Sequence, residues 1–197
     1  MTRCAFAVVA VVVAGCGDNQ GGVRAFEAAD ATRIAAVRPA APDWAWSRAA
    51  ATPESSGSPD SNATDPLLVE LKRRIAPLAE SGDAANSWRV ADKLGNLAVG
   101  VYGNRADAHQ AMAAMNDFSR GWGKRTGTVT KDEPVNDLGD EAWRLWVGGN
   151  GTQVTYHWRR ENLVIEAHIH CFGTCPSDVD IATRAWADAV DAATQGL

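Results

Sequence analysis

The sequence predicts an α+β domain, with an antiparallel sheet of about six strands and helices packed on one face of that sheet. Apolar and polar residues alternate from Gln153 to Arg159 and again from Leu163 to His170, which is typical of a β-hairpin. Further alternating segments precede this hairpin, and their connections are too short for parallel crossovers. A second hairpin around Gly95-Asn96 also leads into a helix, so the pattern suggests a ββα tandem repeat.

We predict three parts in the chain: a signal peptide at residues 1–15, a lipidated tether and low-complexity linker at residues 16–64, and a globular domain at residues 65–197. Arg3 precedes an apolar segment that is too short to span a bilayer. That segment ends in Val13-Ala14-Gly15-Cys16, which resembles the lipobox of bacterial lipoproteins. The resemblance implies cleavage before Cys16, a diacylglycerol on the Cys16 thiol, and attachment to the extracytoplasmic face of the cell membrane. The alternative is an ordinary secretory signal in which Cys16 is incidental.

The linker contains a segment that is too aromatic for a simple spacer. Trp44 and Trp46 lie within a run of Pro and Ala, and we expect one of the two to dock on the domain. Both are candidate binding residues. Residues 52–64 are rich in Ser, Pro, Asn and Asp, which is typical of a disordered segment.

The domain should begin with a helix, because Asp65 is a cap residue and Pro66 suits the first helical position. A second helix should begin after Asn104, which has Asp107 three residues later, and continue to about residue 120. Two strands are expected at residues 126–131 and 142–147. A final helix should follow Ser177 and direct its apolar side toward the sheet.

The main hairpin defines a candidate metal site. If Glu161-Asn162 is a two-residue turn, Arg160 pairs with Leu163 and the register of the whole hairpin follows. One face then carries apolar side chains, and the other carries these potential metal ligands: His157, Glu166, His168 and His170. Such residues on adjacent strands can bind zinc or copper. The alternative is an ordinary polar face in which His157 and Glu166 form a cross-strand ion pair.

Two cysteines remain after Cys4 is removed with the signal peptide and Cys16 is lipidated. Outside the cytoplasm, Cys171 and Cys175 should form a disulfide that holds the corner between the hairpin and the last helix. Metal binding beside His170 is the alternative. The spacing is not Cys-x-x-Cys, so a redox role is disfavoured.

Composition excludes several functions. The net charge is −5 and no run of basic residues exceeds two, so no nucleic-acid partner is expected. The sequence contains no nucleophile elbow, phosphate loop or zinc-protease motif, so we expect a non-enzyme without a cofactor, and a monomer. The acidic segment Asp137–Glu141 and the histidine face keep an unrecognised hydrolase as an alternative.

The folded part resembles small actinobacterial lipoproteins and the extracellular sensor domains of certain bacterial receptor kinases. The shared features, between Asp65 and Ala193, are Leu-Gly-Asp-Glu-Ala at residues 138–142, Arg-x-Asn-Leu-Val at residues 160–164, and an Ala- and Trp-bearing last helix. The resemblance implies a lipid-anchored binding or sensor-like module, with the membrane and a small molecule, cell-wall component or protein as partners.

Overall fold

The computed structural model describes residues 25–39, 44–49, 65–149, 151–173 and 178–197. Within these ranges the chain forms four helices and one seven-stranded sheet. The elements are α1 Ala28–Ala35, β1 Ser47–Arg48, α2 Pro66–Ile75, β2 Glu80–Val90, β3 Lys93–Tyr102, α3 Arg105–Thr126, β4 Gly127–Val135, β5 Glu141–Gly149, β6 Gly151–Arg160, β7 Leu163–Phe172 and α4 Val179–Gln195. The strand order is β1-β2-β3-β7-β6-β5-β4, and every neighbouring pair is antiparallel. The predicted α+β class with an antiparallel sheet is therefore confirmed. In the described part of the chain, no helix is long and apolar enough to cross a membrane.

The register predicted for the β6–β7 hairpin is confirmed, since Arg160 pairs with Leu163 and His157 with Glu166. The turn differs in one detail. Asn is the residue of this two-residue turn that best suits the left-handed conformation, but that conformation falls on Glu161, with φ 53°. The buried Asn162 side chain has another role, described below.

The two faces of the sheet differ in composition. We call the face that carries Leu163, Ile165 and Ala167 of β7 the core face, and the opposite one, with Val164, Glu166 and His168, the α3 face. Helices α1 and α4 pack on the core face, where the buried apolar residues of the central strands are Leu97, Val99, Val101, Val154, Tyr156, Trp158, Leu163, Ile165, Ala167 and Ile169. Helix α3 packs on the other face through Ala108, Ala111 and Met112, next to Val164.

The helices therefore cover both faces, whereas the sequence led us to expect one. The physical reason is that α1 shares the core face with α4 and adds Ala31, Ile34 and Ala35 to it. The apolar side of α3 is then buried against the opposite face. Helix α2 packs on α3 and has no buried residue.

The folded part also includes residues that precede position 65. Phe26 and Trp46 are buried in the main core together with α1. Asn162 holds this segment in place: its Oδ1 accepts a hydrogen bond from the Phe26 N–H at 2.8 Å, and its Nδ2 donates to the carbonyls of Phe26 and Tyr102 at 3.0 and 2.7 Å. The domain thus begins at about residue 26, and part of the predicted tether belongs to the core.

The first hairpin turns at Ala91-Asp92, since Val90 pairs with Lys93; our placement of the turn at Gly95-Asn96 was wrong. Gly95 lies within β3. A glycine suits this strand position because a Cβ there would come within 3.3 Å of the Trp186 ring. Both ββα units exist, as β2-β3-α3 and β6-β7-α4, but their helices lie on opposite faces of the sheet. The two units are therefore not equivalent copies.

Candidate functional site

A chain of hydrogen-bonded polar side chains lies on the α3 face and runs from α3 across β6, β7 and β3 to β2. Its members, in order, are Asn116, His157, Glu166, His168, Asn96 and Ser87. The β6–β7 register places His157 beside Glu166, and the β3–β7 register places His168 beside Asn96. Backbone pairing therefore assembles most of the network.

The buried end of the network is at His157, whose residue is 1% exposed. Its Nδ1 lies 2.7 Å from Asn116 Oδ1 and its Nε2 lies 3.0 Å from Glu166 Oε2. Both partner atoms are acceptors, and the His157 imidazole bridges Asn116 and Glu166 under α3.

The open end of the network is at His168. Its Nδ1 lies 2.7 Å from Glu166 Oε1 and donates to it, while its Nε2 lies 2.7 Å from Asn96 Nδ2 and accepts from it. Asn96 Oδ1 in turn accepts a hydrogen bond from the Ser87 hydroxyl.

The electrostatic environment at the centre of the network favours an ionised Glu166 carboxylate. Burial of Glu166 opposes its ionisation, but hydrogen bonds from His157 and His168 outweigh that effect and hold the pKa of Glu166 well below its usual range. Burial, reinforced by the nearby His168, lowers the pKa of His170. The His170 ring lies 4.2 Å from that of Phe172 and has no part in the hydrogen-bonded chain that the structure describes.

Helix α3 also carries an exposed aromatic side chain, Trp122. Asn116 faces the sheet, and Arg120 reaches Asp132 of β4 at 2.8 Å. Each helical residue advances about 100° around the axis, so Trp122 lies about 200° from Arg120 and away from β4, where its ring stacks on Phe118 and lies 6.0 Å from the Arg125 guanidinium. Trp122 is 42% exposed and Phe172, at the end of β7, is 43% exposed. We call the surface between α3 and β2, with Asn96, His168 and His170 on its floor, the α3 groove.

The candidate metal ligands are thus brought together only in part. His157, Glu166 and His168 form one hydrogen-bonded group, in which the histidine nitrogens facing Glu166 carry protons and have no lone pair for a metal. His170 is directed to Phe172. Across the described ranges, no group of three or more His, Cys, Asp or Glu side chains is arranged to hold a metal ion.

The other predicted site residues lie elsewhere. Trp46 is buried, and Trp44 packs beside it at 5.7 Å between ring centroids, against the same core and under Lys93. Cys171 is fully buried at the end of β7, while Cys175 and Cys16 lie outside the described residues. The disulfide and the lipidation therefore stay predictions.

The acidic segment does not converge on one point. Asp137 is 82% exposed at its side chain, whereas Asp140 accepts hydrogen bonds from Arg159 and from the Glu161 backbone. Glu141 accepts from His109 at 2.7 Å on an exposed surface of α3. Arg159 pairs with both Asp140 and Glu141, at 3.1 and 3.6 Å, whereas Asp137 pairs with Arg184.

Sequence analysis did not identify three residues of the network: Ser87, Asn96 and Asn116. Asn96 was assigned to a turn, and its approach to His168 requires the pairing of β3 with β7. Asn116 did carry a usable indication, because it lies four residues after the buried Met112 and so on the same side of the helix.

Comparison with solved structures gives weak matches only. The chain is similar to the extracellular domain of PknH from Mycobacterium tuberculosis, with 10% sequence identity and a TM-score of 0.41 over 64% of this chain and 69% of that domain. No protein-family model and no curated protein matches the sequence.

Proposed function

We propose that this protein is a lipid-anchored extracytoplasmic binding or sensor-like module, and that its ligand binds in the α3 groove. The observation that carries the proposal is the polar network, which continues from under α3 to β2, a strand that α3 does not contact, with the exposed ring of Phe172 next to His170. Convergent polar groups next to apolar surface are typical of small-molecule sites.

The groove has unused hydrogen-bonding capacity. Each Glu166 oxygen accepts one histidine hydrogen bond and can accept another, and Asn96 Nδ2 has a second hydrogen. The side chains are held in position by one another, so a ligand meets groups that are already oriented. Pre-organisation of this kind lowers the entropic cost of binding.

We propose binding without catalysis. The carboxylates of Asp140 and Glu141 are both paired with Arg159, and the exposed Asp137 is paired with Arg184, which supports this proposal. In the network, His157 and His168 donate to Glu166. The other described hydrogen bonds of the network connect this group to the amides of Asn116 and Asn96 and, through Asn96, to the Ser87 hydroxyl.

The proposed anchor would keep the groove near the membrane. Nine residues separate Cys16 from Phe26, and the backbone of Phe26 is fixed by Asn162. A fully extended connection of that length spans at most about 35 Å. Two acyl chains would give stable attachment.

The anchor is tested by replacing Cys16 with Ser in cells fed a radiolabelled fatty acid. The wild-type protein should carry label and stay with the membrane fraction, and globomycin should cause its precursor to accumulate. The Cys16→Ser variant should carry no label. Processing and membrane attachment of that variant equal to wild type would contradict the lipid anchor.

The groove is tested by ligand-observed NMR with a mixture of small polar molecules against the mature protein. Molecules that bind the wild type should lose their binding signal with Phe172→Ala and with Asn96→Ala. The control is Ile181→Ala, since Ile181 is 72% exposed on α4, which packs on the core face. Binding that is unchanged by both groove variants would place the ligand elsewhere and contradict the proposal.

A further inference from the structure

Helix α2 is the outermost element on one side of the molecule. Among the helices and strands that the structure describes, it contacts only α3, and none of its own residues is buried. Leu67 of α2 lies against Gly121 of α3, which is about half a turn around the helix axis from the sheet-facing Met112. Helix α3 therefore separates α2 from the sheet, and the other side of α2 faces away from the described domain.

The side of α2 that faces away from α3 combines apolar and basic side chains. Leu67 and Arg74 mark the side that faces α3, since Arg74 pairs with Asp117 of α3 at 2.6 Å. At about 100° per residue, Val69 lies on the far side of the helix, and Arg73, four residues later, lies next to it. Val69 is 50% exposed and the Arg73 side chain is 70% exposed.

The last turn of α3 extends this surface at the start of α2. Trp122 is 42% exposed, and the Arg125 guanidinium that lies 6.0 Å from its ring pairs with Asp65 at 2.7 Å. Asp65 is the N-cap residue of α2, so Trp122 lies beside the first turn of that helix. We call the outward side of α2 together with residues 122–125 the α2 surface.

The α2 surface belongs to a positively charged part of an acidic protein. Residues 65–76 and 116–126, which form α2 with its caps and the second half of α3, contain six basic and three acidic residues. Their net charge is +3, whereas that of the whole chain is −5. Basic side chains beside exposed apolar ones are typical of surfaces that bind membranes with anionic lipids.

The proposed lipid anchor lies within reach of the α2 surface. The carbonyl of Ala79, just after α2, accepts a hydrogen bond from the Gly103 N–H at 2.6 Å. The neighbouring Tyr102 carbonyl accepts from Asn162, which also binds Phe26. The end of α2 and the N-terminal attachment therefore lie at the same end of the sheet. A lipid ten positions before Phe26 is at most about 35 Å from it, and α2 is only about 15 Å long.

From these observations we infer that the α2 surface lies on the membrane and contacts anionic phospholipids. Val69 and Trp122 enter the headgroup region, where Trp is favoured, and the surrounding basic side chains meet lipid phosphates. The sheet then turns its α3 face toward the membrane and its core face away from it. This contact goes beyond the proposed anchor, because it uses a folded face of the domain.

The experiment is co-sedimentation of the mature chain with vesicles, in the Cys16→Ser form so that no acyl chain contributes. The protein should bind vesicles of equal parts phosphatidylcholine and phosphatidylglycerol at low salt, leave them at high salt, and not bind phosphatidylcholine alone. Replacing both Arg73 and Lys124 by Gln should weaken binding at least about tenfold, since each basic residue near an anionic surface contributes about fivefold. Trp122→Ala on α3 and Val69→Ser on α2 should each weaken it several-fold.

Two controls remove matching groups from other parts of the surface. Replacing Arg33 of α1 and Arg48 of β1 by Gln also removes two exposed basic side chains, and should leave vesicle binding unchanged. Arg33 is a close match for Arg73, since each pairs with an acidic residue three positions earlier on its own helix. Ile181→Ala removes an exposed apolar side chain from α4 and should have no effect either.

Three results would overturn the inference: no binding to the anionic vesicles, equal binding with and without phosphatidylglycerol, and binding that the α2-surface variants do not change. If sedimentation velocity shows a dimer that the same variants dissociate, the α2 surface binds a second copy of the chain and the membrane inference is wrong. None of these results depends on a lipid at Cys16 or on a ligand in the α3 groove, so each would leave the proposed function as it stands.

Discussion

The two faces of the sheet are built from the same strands and have opposite properties. On the core face, Trp158, Ile165 and Trp186 have no exposed surface, and α1 and α4 cover them. On the α3 face, the same two strands carry His157 of β6 and Glu166 and His168 of β7, and the last two stay partly exposed. Because successive strand residues point to opposite faces, one hairpin can hold the fold together on one side and present polar groups on the other. We conclude that stability resides mainly in the core face and propose that binding resides in the α3 face.

The largest expected effect tests the core face. Trp186→Ala should lower the free energy of unfolding by about 3–5 kcal/mol, because it opens a cavity next to Trp88 and Gly95. It also removes the hydrogen bond that its Nε1–H donates to the Val37 carbonyl at 3.0 Å. Chemical denaturation measures the change. The matched control is Trp122→Ala on the α3 face, which should cost less than about 1 kcal/mol; equal losses would remove the proposed division between the faces.

The next effect tests how the N-terminal segment is attached to the core. Asn162→Ala leaves the Phe26 N–H and the Phe26 and Tyr102 carbonyls without their side-chain partner, so unfolding should become easier by about 2–3 kcal/mol. Hydrogen exchange at the Phe26 amide should accelerate. Asn104→Ala, which removes the N-cap of α3, should cost about 1 kcal/mol and leave exchange at Phe26 as it was. Unchanged Phe26 exchange in Asn162→Ala would show that another contact holds the segment.

A smaller, pH-dependent effect tests the network on the α3 face. The pKa of Glu166 is lowered in the folded protein, so its ionised form contributes stability above the unfolded pKa of about 4.3, and that contribution is lost as pH falls toward the folded pKa. Glu166→Gln should therefore lower stability by about 2 kcal/mol at pH 7 and by less at pH 3.

Denaturation of wild type and Glu166→Gln at the two pH values measures this effect. The control is Glu70→Gln on α2, whose carboxyl is half exposed and pairs with Arg73 on the surface, so the variant should change stability little at pH 7. A loss for Glu166→Gln that is equal at pH 7 and pH 3 would contradict an ionised, paired Glu166.

Sequence reasoning predicted the parts of this molecule that depend on local pattern. The alternation around Glu161-Asn162 specified the β6–β7 register residue by residue, and therefore the pairing of His157 with Glu166. The Asn104 cap located the start of α3. In each case the information lies within a few residues of the feature.

Features that depend on long-range packing were not predicted. Glycine is typical of turns, yet Gly95 lies in a strand. The ring of Trp186, 91 positions later in the chain, packs against it and leaves no room for a side chain. Asn162 looked like a turn residue, whereas its side chain binds Phe26, 136 positions away. Asn96 joined the candidate site only through the pairing of β3 with β7.

The account depends most on the network around Glu166 being a fixed arrangement with defined proton positions. Long-range proton–nitrogen NMR of the histidine imidazoles, recorded at about pH 6, close to the ordinary histidine pKa, measures those positions directly. It should show a proton on each imidazole nitrogen that faces Glu166, which are Nε2 of His157 and Nδ1 of His168. A missing proton at either nitrogen would contradict the network and with it the pre-organised binding face.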